Sequence, residues 1–93
     1  MRVKHRISGA EYDALIFNGE NFPYSHKHEA GETCQATGGE LKIASYEVEL
    51  DSPVGAKVQA HISAGAILLT DVEGKVTSCA PKVFSRDYEE VPE

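Results

Sequence analysis

Strict alternation of apolar and polar residues in one short stretch is the strongest constraint on how this chain can fold. Residues 56–62 read Ala-Lys-Val-Gln-Ala-His-Ile, so every second side chain is apolar. Because successive side chains of a β-strand point to opposite faces, this pattern predicts a strand with one buried and one solvated face. A chain of 93 residues has the length of one domain. We therefore expect residues 1–93 to form a single domain that contains a β-sheet.

Turn-forming residues divide much of the remaining chain into short strands. Residues 41–51 precede the alternating stretch, and Pro-Val-Gly at 53–55 joins the two, which predicts an antiparallel hairpin. The alternation changes phase near Ser45, as a β-bulge would allow. Residues 66–72 and 75–79, with a Glu-Gly turn between them, predict a second hairpin.

The other segments predict a strand, a long loop, a short helix and an edge strand. Residues 11–17 mix alternation with apolar content and end at Asn-Gly, which indicates a strand and a turn. Residues 18–39 show no sustained period and predict a loop. Pro81 opens a short helix through residue 87, and residues 88–91 return as an edge strand. The expected fold class is α+β: a small, mainly antiparallel, curved sheet with one short helix near the C-terminus.

A core is predicted from the apolar face of these elements. Phe84 and Tyr88 are four residues apart, so one helical turn can direct both toward the sheet. The predicted core residues are Tyr12, Ile16, Leu41, Ile43, Val58, Ile62, Leu68, Val76, Val83, Phe84 and Tyr88.

The charge of the chain favours a protein partner with a basic surface. The formal net charge is −6 at pH 7, which disfavours direct binding to nucleic acid or to membranes. The apolar run 64–69 is too short to span a bilayer, and the basic start at residues 1–6 lacks the apolar stretch of a signal peptide. We expect a cytoplasmic protein of a bacterial host cell.

The cysteines offer little chemistry. Cys34 and Cys79 are expected to be free thiols, and neither has a spacing that identifies a catalytic partner. No phosphate-binding glycine loop is present. We therefore expect a protein without catalytic residues and without a cofactor.

A histidine-rich stretch carries an alternative hypothesis. His26, His28 and Glu32, spaced between Gly19 and Gly39, are similar to the first metal-binding motif of cupins, which are small β-barrels with a His/His/Glu site. That resemblance implies an Fe- or Mn-type site with Glu32 as the third ligand. The position of the histidine in the second cupin motif is occupied by a valine, and His61 follows three residues later. Our first expectation is that no metal binds and that these side chains are solvated.

Glycine, cysteine, proline and aromatic residues recur at fixed places in the last third of the chain: Gly65, residues 67–69, Gly74, Cys79, Pro81, Phe84, Tyr88, Glu89 and Val91. At these positions the chain resembles a C-terminal pattern of small bacteriophage and prophage proteins of unassigned function. The sequence departs from that pattern at Ala66, where aspartate is usual, and at Asp71, where glycine is usual. Residues 14–21 also resemble the opening strand of that family. The resemblance implies a phage or prophage source.

A row of carboxylates suggests a way to bind a partner. Glu47, Glu49 and Asp51 alternate along one predicted strand, about 6.6 Å apart, and can present negative charge to arginines and lysines that normally contact phosphates. The partner-binding residues predicted from sequence are Glu47, Glu49, Asp51, Glu89, Glu90, Phe22 and Tyr24. The expected function is a non-enzymatic phage accessory protein that binds a host macromolecule, such as an inhibitor of a nucleic-acid-binding host defence complex. A virion or morphogenesis component, with a phage protein as partner, is the other hypothesis.

Overall fold

The computed structural model of the chain describes residues 1–33, 38–52 and 54–92. Strands account for most of the regular structure in these residues, and one short helix lies near the C-terminus. The elements are β1 Arg2–His5, β2 Glu11–Ile16, β3 His26–His28, β4 Ser45–Asp51, β5 Lys57–Ile62, β6 Ile67–Thr70, β7 Val76–Cys79, α1 Pro81–Asp87 and β8 Tyr88–Glu90.

The strands form two antiparallel sheets. The larger sheet has five strands in the order β7-β6-β2-β1-β8, and the smaller has three in the order β3-β4-β5. The prediction of mainly antiparallel strands with a short C-terminal helix is confirmed. The class is mostly β rather than α+β, because the helix has only seven residues, and two open sheets replace the single curved sheet. Among the residues described, no helix is long and apolar enough to cross a membrane.

Both predicted hairpins are present. Strands β4 and β5 pair antiparallel with Val48 opposite Ala60, and β6 pairs with β7 with Leu68 opposite Ser78. Gly74 has a φ of 84° in the second turn, a conformation that glycine adopts without steric cost. Helix α1 begins at Pro81, whose fixed φ suits a first helical position. Phe84 and Tyr88 stack with their ring centroids 5.6 Å apart.

Two strands were not predicted. Strand β1 contributes one fully buried side chain, Val3, between charged residues, so the segment has no apolar alternation to detect. Strand β3 has three polar residues and is held by its pairing with β4, with His28 opposite Ser45. The bulge predicted near Ser45 is not the cause of the change in alternation. Strand β4 begins only at Ser45, so residues 41–44 lie outside the strand and need not follow its alternation.

The core consists of two clusters on opposite faces of the five-stranded sheet. Leu68 faces the cluster between the two sheets, whereas Ile67 and Leu69 face the cluster beneath α1. Strand β6 is therefore buried on both faces, as its continuous apolar sequence requires. The buried residues of the first cluster are Phe17, Tyr46, Val48, Leu50, Ile62 and Leu68, and those of the second are Val3, Ala14, Ile67 and Leu69.

The predicted core is correct in part. Ile62 and Leu68 are buried, but Ile16, Ile43 and Val58 are exposed by 54%, 60% and 44%. Ile16 is the last residue of β2, Ile43 precedes β4, and Val58 lies near the start of an outer strand, so neighbouring elements cover each of them incompletely. The remaining predicted core residues are partly buried: Tyr12, Leu41, Val76, Val83, Phe84 and Tyr88.

Asp51 joins the two sheets. Its Oδ2 accepts a hydrogen bond of 2.7 Å from the backbone N–H of Val76 in β7, and its Oδ1 lies 2.8 Å from Lys57 Nζ. The side chain is only 13% exposed. Strand β7 is the outermost strand of its sheet on this side, and Asp51 gives its outward N–H a partner. The hydrogen bond from Lys57, followed by that from Val76, lowers the pKa of the Asp51 carboxyl group.

Asp51→Asn should destabilise the protein at neutral pH, because asparagine can still accept from Val76 but cannot pair with the charge of Lys57. A lowered pKa means that Asp51 stabilises the folded state above the ordinary carboxyl value of 3.8 and that this stabilisation is lost as pH falls through the lower folded-state pKa. We expect the variant to have a Tm several degrees below that of the parent at pH 7. The difference should shrink as the pH falls below 3.8, as measured by thermal unfolding followed by circular dichroism.

Glu49→Gln, an equal loss of charge at an exposed position of the same strand, is the matched control and should change the Tm little. Equal losses of Tm in the two variants at pH 7 would contradict the role assigned to Asp51.

Candidate functional site

The side of the three-stranded sheet that faces away from the core carries the candidate site, and we call it the outer face. Tyr46, Val48 and Leu50 of β4 are buried, so the alternate residues Glu47 and Glu49 point outward. Directly paired residues of an antiparallel sheet share a face. The outer face comprises His26, His28, Ser45, Glu47, Glu49, Gln59 and His61, and it ends at the pair Asp51 and Lys57, where the Asp51 carboxylate contacts β7.

Two histidines converge on Glu47 at the centre of this face. His61 is directly opposite Glu47, and its Nε2 lies 3.0 Å from Glu47 Oε1. His28 reaches Glu47 diagonally, with Nε2 3.9 Å from Oε2. One ligand atom from each of the three residues lies within 4.8 Å of the other two. We call His28, Glu47 and His61 the histidine cluster.

The residues whose ligand atoms converge in the structure are not the set His26, His28 and Glu32 that the cupin motif suggests. His28 belongs to the cluster, and Glu32 Oε1 lies 3.9 Å from the other ring nitrogen, Nδ1, of His28. The backbone N–H of Glu29 donates a hydrogen bond to the Glu32 carboxylate. The His26 ring is 4.4 Å from that of His28, yet His26 is not in the group whose ligand atoms converge. The sequence did not reveal that Glu47 and His61 lie next to His28, because only the pairing of β3, β4 and β5 brings these three residues together.

The predicted row of carboxylates lies on one strand, but its members differ in surroundings. Glu49 is exposed, and its charge helps raise the pKa of Lys57, after the larger effect of the hydrogen bond to Asp51. Glu47 is occupied by the two histidines. Asp51 is mostly covered in the contact between the sheets. Glu49 is therefore the most accessible carboxylate of the row.

The two predicted acidic residues near the C-terminus lie elsewhere. Glu89 and Glu90 belong to β8, at the opposite edge of the larger sheet from β7. Glu89 Oε1 is 3.5 Å from Lys4 Nζ and Glu89 Oε2 is 3.4 Å from Arg6 Nη1, so the charge of Glu89 is compensated locally. Glu90 is exposed. The fold therefore does not bring these residues onto the outer face.

The predicted aromatic residues occupy the loop before β3. Phe22 is partly buried against the core, whereas Tyr24 is 45% exposed and makes an edge contact with Tyr46 at a centroid distance of 5.0 Å. Residues 20–24 line a surface depression of ≈ 510 Å³. The N–H of Ser25 donates to the carbonyl oxygen of Glu47 at 2.9 Å, which fixes Tyr24 beside β4.

An asparagine pair orders the start of this loop. Asn18 Oδ1 accepts hydrogen bonds from the N–H groups of Glu20 and Asn21 at 2.8 and 3.0 Å. The side chain of Asn21 in turn accepts from the N–H of Asn18 and donates to the carbonyl oxygen of Ile16. Asparagine side chains often form such local turns, so the Asn18-Gly19 turn predicted from sequence has a defined geometry.

Cys79, the cysteine among the described residues, does not add a reactive group to the candidate site. Cys79 is a partly buried free thiol, and burial, followed by the charge of Asp87, raises its pKa. A raised pKa lowers the thiolate fraction, which is the nucleophilic form. Cys34 lies outside the described residues.

No protein-family model, curated protein or solved structure matches the chain. The resemblances to phage proteins and to the cupin motif therefore stay predictions, and the functional argument depends on the geometry of the outer face.

The position of Tyr46, and with it that of Tyr24, depends on the absence of a side chain at residue 19. A Cβ atom at Gly19 would lie 2.7 Å from Tyr46 Oη, and its φ of 90° is also unfavourable for other residues. Gly9 also has a positive φ, 75°, but a Cβ there would meet nothing within 4 Å. We expect Gly19→Ala to lower the free energy of unfolding by roughly 2–3 kcal/mol and Gly9→Ala by about 1 kcal/mol. Urea denaturation measures both, and equal losses would show that Tyr46 tolerates a side chain at residue 19.

Proposed function

We propose that the chain is a non-enzymatic accessory protein of phage or prophage origin that binds a basic host protein through Tyr24 and the carboxylates of the outer face. The observation that carries this proposal is an exposed tyrosine held in place next to an acidic strand. Tyr24 contacts Tyr46, and the backbone bond from Ser25 to Glu47 joins its loop to β4.

The fixed position of Tyr24 favours a role in affinity. Tyrosines are frequent among the residues that contribute most to protein–protein binding, and an ordered side chain loses little conformational freedom on association. Tyr46 is itself in edge contact with Phe17 at 5.1 Å, so Tyr24 rests on the core rather than on a free loop. The aromatic contact would supply most of the affinity of the complex.

The carboxylates favour a partner with a basic surface. Glu49 is exposed, and the whole chain carries a formal net charge of −6. Such charge accelerates association with a basic partner and makes the rate sensitive to salt. Glu47 contributes to the negative charge of the same face. Asp51 contributes less because its side chain is mostly covered. Glu89 and Glu90 contribute less because they lie on the other sheet, where Glu89 is paired with Lys4 and Arg6.

A host complex that binds nucleic acid through a basic surface is the class of partner that complements the negative charge of this chain. Arginines and lysines that contact phosphates also bind carboxylates, with the same bidentate geometry for arginine. A CRISPR surveillance complex, as a bacterial defence complex of this kind, is the example we propose. The chain would then act in the bacterial cytoplasm by occupying the nucleic-acid channel of its partner.

Charge reversal at Glu49 tests the proposal. The full chain and its Glu49→Lys variant are used to capture proteins from extracts of a bacterial host, and bound proteins are quantified by mass spectrometry. We expect the parent to retain a nucleic-acid-binding complex whose recovery falls at least about tenfold with the variant and falls as salt is raised. Tyr24→Ala should also lose the complex, mainly through faster dissociation.

Glu73→Lys is the matched control, because it makes the same change of charge at an exposed turn residue of the other sheet. It should capture the complex as the parent does. Equal recovery with Glu49→Lys and Glu73→Lys would contradict binding through the outer face. Capture of phage structural proteins instead of a host complex would favour the rival function, a virion or morphogenesis component.

A further inference from the structure

We propose that the histidine cluster is a binding site for a divalent transition metal ion, with Zn²⁺ as the ion whose ligand preferences it fits. His28 and His61 would each bind through Nε2, and Glu47 through its carboxylate. This inference is independent of the proposed partner, because it depends only on the convergence of these three side chains.

The separations of the ligand atoms are close to those of a tetrahedral site. Bonds of about 2.0 Å to zinc place neighbouring ligand atoms about 3.3 Å apart. His61 Nε2 is 3.0 Å from Glu47 Oε1, and His28 Nε2 is 3.9 Å from the other carboxylate oxygen, Oε2. All three ligand atoms fall within 4.8 Å of one another, so small rotations of partly exposed side chains would complete the geometry.

The backbone beneath the ligands is fixed. Glu47 lies in β4, the central strand of its sheet, and is paired with a residue on each side, His26 in β3 and His61 in β5. Sites built on regular strands hold their ligands more accurately than sites on loops. The inner face of β4 is buried, so the strand cannot move without disturbing the core.

A second carboxylate lies near the ring nitrogen of His28 that would not bind the metal. Histidines that bind metals usually donate the hydrogen of their other ring nitrogen to a carboxylate or a carbonyl group. Glu32 Oε1 is 3.9 Å from His28 Nδ1, and the backbone N–H of Glu29 holds the Glu32 carboxylate in place. A rotation of the Glu32 side chain that shortens this separation to hydrogen-bond length would select the tautomer of His28 with Nε2 free to bind the metal.

The ligand set selects the class of metal. Imidazole nitrogens suit Zn²⁺, Cu²⁺, Ni²⁺ and Fe²⁺, whereas Mg²⁺ and Ca²⁺ prefer sites made of oxygen atoms. Three protein ligands leave one position of a tetrahedral ion open. The cluster lies on the solvent side of the sheet, so that position can take a water molecule or a group from another molecule.

Calorimetric titration of the tag-free, metal-free chain with Zn²⁺ tests the inference. We expect saturable binding of about one ion per chain, no competition from excess Mg²⁺, and a higher Tm in the presence of Zn²⁺, because a ligand of the native state stabilises it. Co²⁺, used as a spectroscopic probe, should give the absorption of a four-coordinate ion. Binding that does not saturate, or that Mg²⁺ abolishes, would overturn the proposal.

Substitutions separate the ligand set from its neighbours. His61→Gln and Glu47→Gln should each weaken Zn²⁺ binding more than Glu32→Gln, whose outer-shell role predicts a loss of about 10- to 100-fold. His26→Gln is the matched control and should leave the affinity unchanged. Far-ultraviolet circular dichroism checks that each variant is folded. Unchanged binding by His61→Gln, or loss of binding by His26→Gln, would contradict this ligand set, and the second result would favour the cupin-like set.

Discussion

Packing of the inner face of β4 against the five-stranded sheet is the interaction on which the rest of the structure depends. Tyr46, Val48 and Leu50 enter the same cluster as Leu68 from the larger sheet. Burial of large apolar side chains of this kind contributes roughly 1.5–3 kcal/mol each. A strand buried on one side in this way must present its alternate residues to solvent, so the same packing that joins the sheets also creates the outer face.

The alternate residues of β4 show how position along one strand changes the role of one residue type. Glu47 lies at the centre of its sheet, between two histidines, and forms part of a potential metal site. Glu49 is exposed and free to meet a basic surface. Asp51, at the end of the strand, lies against β7 and joins the two sheets. Carboxylates with the same spacing in sequence are therefore expected to differ in exposure and in function.

The two proposals concern one surface and share Glu47. A divalent ion bound by His28, Glu47 and His61 would make the outer face less negative by two charges, leaving Glu49 as its main acidic group. Electrostatic steering of a basic partner would then be weaker with metal bound than without it. The aromatic contact of Tyr24 would be affected less, because its ring contacts Tyr46 and none of the three proposed metal ligands.

The sequence alone determined the elements whose pattern is local. Alternation in residues 57–62, the turn glycine at Gly74 and the proline at Pro81 each act within a few residues, and the structure contains the strand, the hairpin and the helix that they predict. Strands β1 and β3 escaped prediction, because they are short and polar and exist through pairing with distant segments.

Only the tertiary structure decided the composition of the site. His28, Glu47 and His61 span more than thirty residues of sequence, and no spacing rule relates them. The sequence offered a metal site as an alternative hypothesis, but the ligands it suggested beside His28 were its neighbours in the chain, His26 and Glu32. Antiparallel pairing of β3, β4 and β5 sets which side chains are opposite one another, and a shift of one residue would turn them to the other face. The register that brings His61 opposite Glu47 follows from burial of the inner face, which is a property of the whole fold.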